Sequence, residues 1–396
     1  MKFKARSGWI AAAMALAGTF ATAAPDPVKI GLVVPLSGGS SPIGVSVRDG
    51  VRLAVSEINA RGGVLARPIQ LVERDDESKN ERGVQIAQEF VNKEKVAAVI
   101  GFVNTGPALA AQRFYQEARI PAMTTTATGT VVTQQFRDQP DDYVFRVSAS
   151  DAIQAAMMVD EAVGRRKFTR VALLADSTNY GQLGREDLLK ALSGKGITPV
   201  VVEKFNVKDV DMTAQLLRAK EAGAEALLVY GVGPELAQIA NGMQKLGWKV
   251  PMIGSWNLAM ANFIDNAGAN GDGATMPQTF IQDSDRPRHR EFVQAYQKAF
   301  KVDRIPVPSP AAQAYDSTYL LAAAIRQAGV TDGPRVREAL ENLREPVQGV
   351  IATYDKPFAK GQHEAIDASI PVFGVVRGGR VVHADPQDKL RSAPRK

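Results

Sequence analysis

The chain has 396 residues, 45% hydrophobic and 23% charged, with no cysteine and three histidines. This suits a soluble globular protein of two to three domains, at roughly 150 residues per domain. It excludes disulfides, thiol nucleophiles, iron–sulfur clusters, zinc–thiolate sites and a lipid anchor carried on cysteine. The formal charge of +6 includes Lys2, Lys4 and Arg6 in an acid-free N-terminal stretch, so the remainder carries about +3. Much of that surplus sits in the tail from Lys389 to Lys396. No basic stripe interleaved with aromatics occurs, so nucleic acid is not an expected partner. His289, His363 and His383 are far apart in polar sequence surroundings, which leaves histidine-based metal or acid–base chemistry little material.

Met1 to Ser7 is basic, Trp9 to Phe20 is apolar and Ala-rich, and Ala21-Thr22-Ala23-Ala24 precedes Pro25. The apolar stretch is too short for the ~20 residues that span a bilayer. This is the order of a cleaved secretory signal, with cleavage expected after Ala23 because Pro25 disfavours the next bond. No later stretch approaches the length of a membrane span, so a soluble periplasmic protein is expected.

From Val28 onward strands and helices alternate. Val28 to Val34 reads as a buried strand ended by Pro35 and Ser37-Gly38-Gly39. Val47, Val51, Ala54, Val55 and Ile58 recur at helical spacing and stop at Gly62-Gly63. Strands follow at Ile69 to Val72, Val96 to Ile100 and Ile120 to Met123, with helices around Val84 to Val91 and from Pro107 to Ala118. A second set starts at Tyr143 to Val147. Its strands are Val171 to Ala175, Val200 to Phe205, Ala226 to Tyr230 and Met252 to Ile253, and its helices are Ala152 to Val163, Leu183 to Leu192, Thr213 to Ala222 and Glu235 to Leu246. Regular alternation with β-branched strands predicts parallel sheets covered on both faces, hence an α/β protein of two doubly wound lobes. Helices at Pro287 to Phe300, Ala311 to Ala328 and Pro334 to Leu343 then return to complete the first lobe. A strand at Val350 to Tyr354 and a hairpin of Val372 to Val376 with Arg380 to Val382 close the chain.

Dinucleotide, Walker, nucleophile-elbow and zincin motifs are all missing. Asp75-Asp76-Glu77 reads as a solvated loop, and Asp141-Asp142 as a turn. Polar loops remain at the carboxyl ends of strands, the edge where open α/β sheets bind ligands. They are Ser37 to Ser40, Asn104-Thr105-Gly106, Thr124 to Gly129 and Asp176 to Gly181. Hydroxyls and free amides at helix starts suit a carboxylate. Each loop alone reads as helix capping. Four on matching edges read as a site.

The stretches Lys29-Ile30-Gly31 to Leu36-Ser37-Gly38, Asn59 to Val64, Ala97 to Gly101, Tyr143 to Arg146, Tyr180-Gly181, Pro234-Glu235 through Gly254 and Ala314-Tyr315-Asp316 occur in one order and spacing. Together they resemble type I periplasmic solute-binding proteins of the leucine/isoleucine/valine-binding family, from about Val28 to Val382. The resemblance implies two Rossmann-like lobes joined by a three-segment hinge. Residues 26–146 with 277–354 would form the first lobe, 147–276 with 355–385 the second, residues 1–23 the signal and 386–396 a tail. It implies a monomeric, non-enzymatic binding protein without cofactor. Such a protein closes on a small carboxylate ligand and delivers it to an inner-membrane ABC permease and its ATPase.

Carried over by position, the resemblance implies Thr105, Thr126 and Thr128 as the carboxylate cradle, with Ser37 at the first cleft loop and Tyr180 closing from the second lobe. Two departures stand out. Trp256, within Gly254-Ser255-Trp256-Asn257, occupies the place of the family's acid that pairs the ligand ammonium, and Ile43 replaces an aromatic. Trp256 suits stacking on a ring and Asn257 suits donation to an oxygen. The expected ligand is therefore an aromatic or 2-keto acid lacking the ammonium, with a branched-chain or other amino acid as the alternative, provided Asp316 or Glu235 reaches the ammonium. A secreted hydrolase is the remote alternative, since the cleft loops offer Ser and Thr without a partner histidine.

Overall fold

The computed structural model describes Met1 and residues 26–390. Apart from Met1, the expected signal lies outside the described residues, as do residues 391–396 of the tail. The first set of elements is β1 (Val28–Val34), α1 (Ser41–Ala60), β2 (Ile69–Asp75), α2 (Asn80–Glu89), β3 (Ala98–Gly101), α3 (Thr105–Glu117), β4 (Ala122–Thr124) and β5 (Val144–Arg146). The second is α4 (Asp151–Val159), β6 (Val171–Asp176), α5 (Asn179–Ser193), β7 (Val201–Phe205), α6 (Thr213–Glu221), β8 (Ala226–Tyr230), α7 (Glu235–Lys245), β9 (Met252–Gly254), α8 (Ala261–Ala267) and β10 (Thr275–Gln278). The chain ends with α9 (Pro287–Phe300), α10 (Pro308–Ala328), α11 (Gly333–Glu341), β11 (Val347–Gln348), β12 (Thr353–Tyr354), β13 (Val372–Arg377) and β14 (Arg380–His383).

One sheet has the order β2-β1-β3-β4-β5 and is parallel throughout. The other runs β14-β13-β10-β9-β8-β6-β7, parallel from β10 to β7, with β13 and β14 added antiparallel. Strand order reverses between β1 and β3 in the first sheet and between β6 and β8 in the second. Those are the switch points whose carboxyl ends form crevices. The buried strands read as unbroken apolar runs because helices cover both faces.

Helix α1 buries Ile43, Val47, Val51, Ala54 and Ile58 as one stripe. It packs on α10, which comes back from the far end of the chain and is buried almost all round. Polar ties fix the return: Val307 N donates to Ser46 Oγ at 2.9 Å, and the Tyr315 and Tyr319 hydroxyls both donate to Glu57 at 2.7 and 2.5 Å. The chain passes between the sheets after β5, after β10 and between β12 and β13. At the third passage Arg146 N donates to His363 O and Ala365 N to Arg146 O, both at 2.9 Å. The fully buried Arg146 guanidinium pairs with Glu364 and donates to Gly129 O at 2.7 Å, so two passages and a cleft loop share one cation.

Several local expectations change. The continuous strand expected at Val350 to Tyr354 is instead a pair of two-residue strands. The Val350 and Ile351 amides go to the Asp316 carboxylate at 2.6 and 2.9 Å rather than to a ladder. Asp76 is buried, not solvated, and burial pushes its carboxyl up to about 6. The three histidines are buried too: His289 packs on Phe280 with burial pushing it down to about 3, and His363 stacks on Phe145 with ring centroids 4.0 Å apart.

Candidate ligand-binding site

The two carboxyl edges face each other and touch. Thr130 Oγ1 donates to Asp187 Oδ2 at 2.7 Å, Asn262 Nδ2 to Gly39 O at 3.0 Å, and Ala261 N to Pro306 O at 3.1 Å. These bonds cross between the lobes, so the arrangement is closed.

The first-lobe wall is built on the end of β3. Gly101 sits at φ +136°, and a Cβ there would stand 2.1 Å from Val33 O, so only glycine fits between β3 and β1. The following loop is zipped on: Thr125 N and Oγ1 donate to Gly101 O at 2.8 and 3.0 Å, and Ala127 N donates to Phe102 O at 2.8 Å. This sets Thr126 and Thr128 beside the start of α3, where Thr105 begins the helix. Thr105 Oγ1 accepts from Gly129 N at 3.4 Å, and Thr126 Oγ1 lies 3.2 Å from Thr125 Oγ1. The buried Thr128 hydroxyl stands beside the Asp151 carboxyl and completes no hydrogen bond there. Helix starts carry orphan amides and partial positive charge, so this wall favours an anion.

The second-lobe wall is built on β6 and β8. Buried Asp176 accepts from Thr178 N and Val232 N, both at 2.9 Å, tying the two strand-end loops together. Thr178 caps α5 through Gly181 N at 3.3 Å and so aims Tyr180 inward. The Tyr180 ring lies 4.9 Å from that of Tyr230, and the Tyr180 hydroxyl completes no hydrogen bond beside the Tyr230 and Ser255 hydroxyls. Tyr230 OH donates to Asp151 Oδ1 at 2.6 Å.

Asp151 is the buried carboxyl behind these two walls. Its side chain is 0% exposed, and its backbone amide donates to Thr128 O at 2.8 Å. Its Oδ2 has no partner among the described residues. Burial pushes its carboxyl up to about 7, against the pull of the Thr128 and Tyr230 hydroxyls and the Arg146 guanidinium. The sequence reading missed this residue. An acid at the start of a helix reads as a capping residue, and the usable signal is that it follows a passage between lobes at a strand's carboxyl end.

Trp256 lies on the same wall, buried, with its backbone held at both ends. Its N donates to Gln154 Oε1 at 3.1 Å, and its O accepts from Gln278 Nε2 at 2.9 Å. A small cavity lies against it, floored by Ala149, Pro277 and Pro371 from the three passages and reached by Thr128. The other named residues sit elsewhere. Ser37 is at the exposed rim with Oγ 3.0 Å from Asp75 Oδ2. Asn257 is fully buried and gives its amide N–H to Gly231 O at 2.8 Å. Ile43 belongs to the core. Asp316 is occupied by Val350, Ile351 and the Tyr354 hydroxyl, and Glu235 accepts from Lys208 N, so neither faces the cleft as an ammonium partner. Among the described residues no group of three or more His, Asp or Glu could hold a metal, and no helix is long and apolar enough to cross a membrane.

A family model described as periplasmic binding protein matches residues 27–376. The chain is 29% identical to the Leu/Ile/Val-binding protein homolog 3 of Brucella melitensis over 368 residues, 92% of this chain and 95% of that one. It is 28% identical to the leucine-, isoleucine-, valine-, threonine- and alanine-binding protein of Pseudomonas aeruginosa over 333 residues, 83% of this chain and 86% of the relative. A solved type 1 periplasmic binding protein from Bordetella pertussis superposes with a TM-score of 0.81 at 28% identity, covering 90% of this chain and 99% of that one. With two doubly wound lobes, a cleft of facing carboxyl edges and relatives that bind rather than transform, the chain belongs to the type I periplasmic binding proteins of the Leu/Ile/Val-binding family, non-enzymatic solute-binding components of ABC transport.

Proposed function

We propose that the ligand is a small α-amino acid, held as a zwitterion between the lobes and delivered by a monomer to an ABC permease. The observation that carries this is the unpartnered Oδ2 of the fully buried Asp151. A buried carboxylate with a free oxygen costs several kcal/mol unless a positive group pairs with it. A ligand ammonium supplies that group, in place of the family acid whose position Trp256 occupies. The ligand carboxylate then falls to the hydroxyls and amides of Thr105, Thr126 and Thr128. The lobe division at 26–146 with 277–354 against 147–276 with 355–385, and export through a signal cleaved near Ala23, belong to the same reading.

Isosteric ligands test it. Calorimetry compares L-leucine with 4-methyl-2-oxopentanoate, which carries a keto oxygen where leucine carries the ammonium. Closing on leucine keeps Asp151 charged and takes up no proton there. Closing on the keto acid leaves the carboxyl, which burial pushes up to about 7, without a cation, so binding takes up a proton on the alkaline side of the usual carboxylate range. Keto-acid affinity therefore falls as pH rises through that window while leucine affinity holds. Tighter binding of the keto acid at pH 8 overturns the reading. A second reading keeps an aromatic or 2-keto acid as ligand and is favoured by Trp256 on the cleft wall. In it Asp151 is a neutral donor, and the proton uptake identifies it.

A further inference from the structure

Trp256 combines two features that the amino-acid reading leaves unused. Its indole Nε1 is buried and has no hydrogen-bond partner among the described residues, although tryptophan N–H groups normally find one when buried. Its backbone is also unusually constrained. Gln154 takes its N–H, Gln278 holds its carbonyl, and Gln278 Oε1 accepts in turn from Ser309 Oγ at 2.7 Å on first-lobe helix α10. Both glutamines are buried and committed to this one residue, Gln154 giving its own amide to Ala149 O at 3.0 Å. They hold the Trp256 backbone in place and line the same cavity. The cavity beside Trp256 is lined by Thr128, Gln154, Gln278, Thr279, Ser309 and Gln313 together with Ala149, Pro277 and Pro371, so polar groups stand at it among apolar ones. It meets the carboxylate wall at Thr128 and extends from there along the passages between the lobes.

We propose that the Trp256 indole N–H is a specificity-determining donor, which selects amino acids bearing an oxygen acceptor on the side chain over purely aliphatic ones. This rests on the amino-acid reading. A site built to hydrogen-bond a ligand group rejects the isostere lacking it, because the donor is then left unpaired. Aliphatic ligands such as leucine still enter, at reduced affinity.

The test uses two near-isosteric pairs, threonine with valine and asparagine with leucine, measured by calorimetry on the full mature chain. The oxygen-bearing member of each pair binds at least about tenfold tighter, one decade being about 1.4 kcal/mol. Trp256→Phe, which keeps a ring and loses the N–H, abolishes that preference, bringing the two members of each pair to within about threefold of each other, a ratio worth under 1 kcal/mol. Nitrogen-15 NMR of the wild type reads the indole directly and needs no variant to fold. The Trp256 Nε1–H resonance moves downfield with threonine or asparagine and not with valine. Equal affinities within both pairs, a preference that survives Trp256→Phe, or an indole resonance indifferent to threonine overturns the proposal. If no amino acid binds, the function reading has failed separately, and 4-hydroxybenzoate against benzoate probes the same donor. Preference for the hydroxylated member that Trp256→Phe removes then sustains the donor role, and equal affinity ends it.

Discussion

Asp151→Asn separates the two ligand classes by the sign of its effect. The substitution keeps the shape of the side chain and the Tyr230 hydroxyl's acceptor, since Tyr230 donates to Oδ1, and it leaves the backbone bond from residue 151 to Thr128 O intact. It removes the charge and turns Oδ2 into an amide donor. For an amino acid, the ammonium then lies in a closed cleft opposite a neutral amide. Breaking a buried ion pair by removing one partner costs about 3–5 kcal/mol. Affinity for leucine should therefore fall by about two to four decades. For a ligand without ammonium the sign reverses. Wild-type Asp151 then has no cation beside it, and burial penalises its charged form. Asparagine has no such cost, so the keto acid should bind at least about tenfold tighter to the variant. Calorimetry at pH 7 with both ligands on both proteins gives the four affinities. Leucine binding that is unchanged by Asp151→Asn refutes the pairing and leaves the buried carboxylate as a purely structural group.

Thr105→Ala and Thr128→Ala should each weaken binding at least about tenfold, since a hydrogen bond to a charged group is worth about 1.5–3 kcal/mol. Equal affinity for the ligand and its methyl ester would show instead that no carboxylate is recognised there. Asp187→Ala removes the inter-lobe bond from Thr130 and should weaken ligand binding by about threefold to tenfold, as one hydrogen bond present only in the closed state contributes about 1 kcal/mol. An unaltered affinity means the contact is incidental to closure. Small-angle scattering should show compaction at saturating ligand, and its absence contradicts hinge closure. Asp316→Ala strands the Val350 and Ile351 amides and the Tyr354 hydroxyl in the core and should cost at least about 1–3 kcal/mol in chemical denaturation, with no loss refuting that role.

Strand and helix order is legible because buried strands such as Val28–Val34 and stripes such as Ile43 to Ile58 follow periods that residue order alone reveals. The cleft loops at Thr105, Thr126, Thr128 and Tyr180 were legible from their place at strand ends, and the structure brings them to two facing walls. Other features depend on contacts between residues far apart in the chain. Asp151 is the buried carboxyl behind the cleft walls only because Thr128, Tyr230 and Arg146 close around it. Trp256 faces inward because Gln154 and Gln278 grip its backbone across 102 and 22 positions of sequence. Asn257 offers a donor by type, yet Gly231 O takes it. Asp316 shapes the chain at Val350 across 34 positions, which is why a strand expected there breaks in two.

The most direct measurement is mass spectrometry of the small molecule carried by the mature protein, isolated from the periplasmic fraction without detergent and unfolded to release its ligand. One chemically unmodified α-amino acid in near-stoichiometric amount is the expected result. A carboxylic acid with no amino group in that position would contradict it.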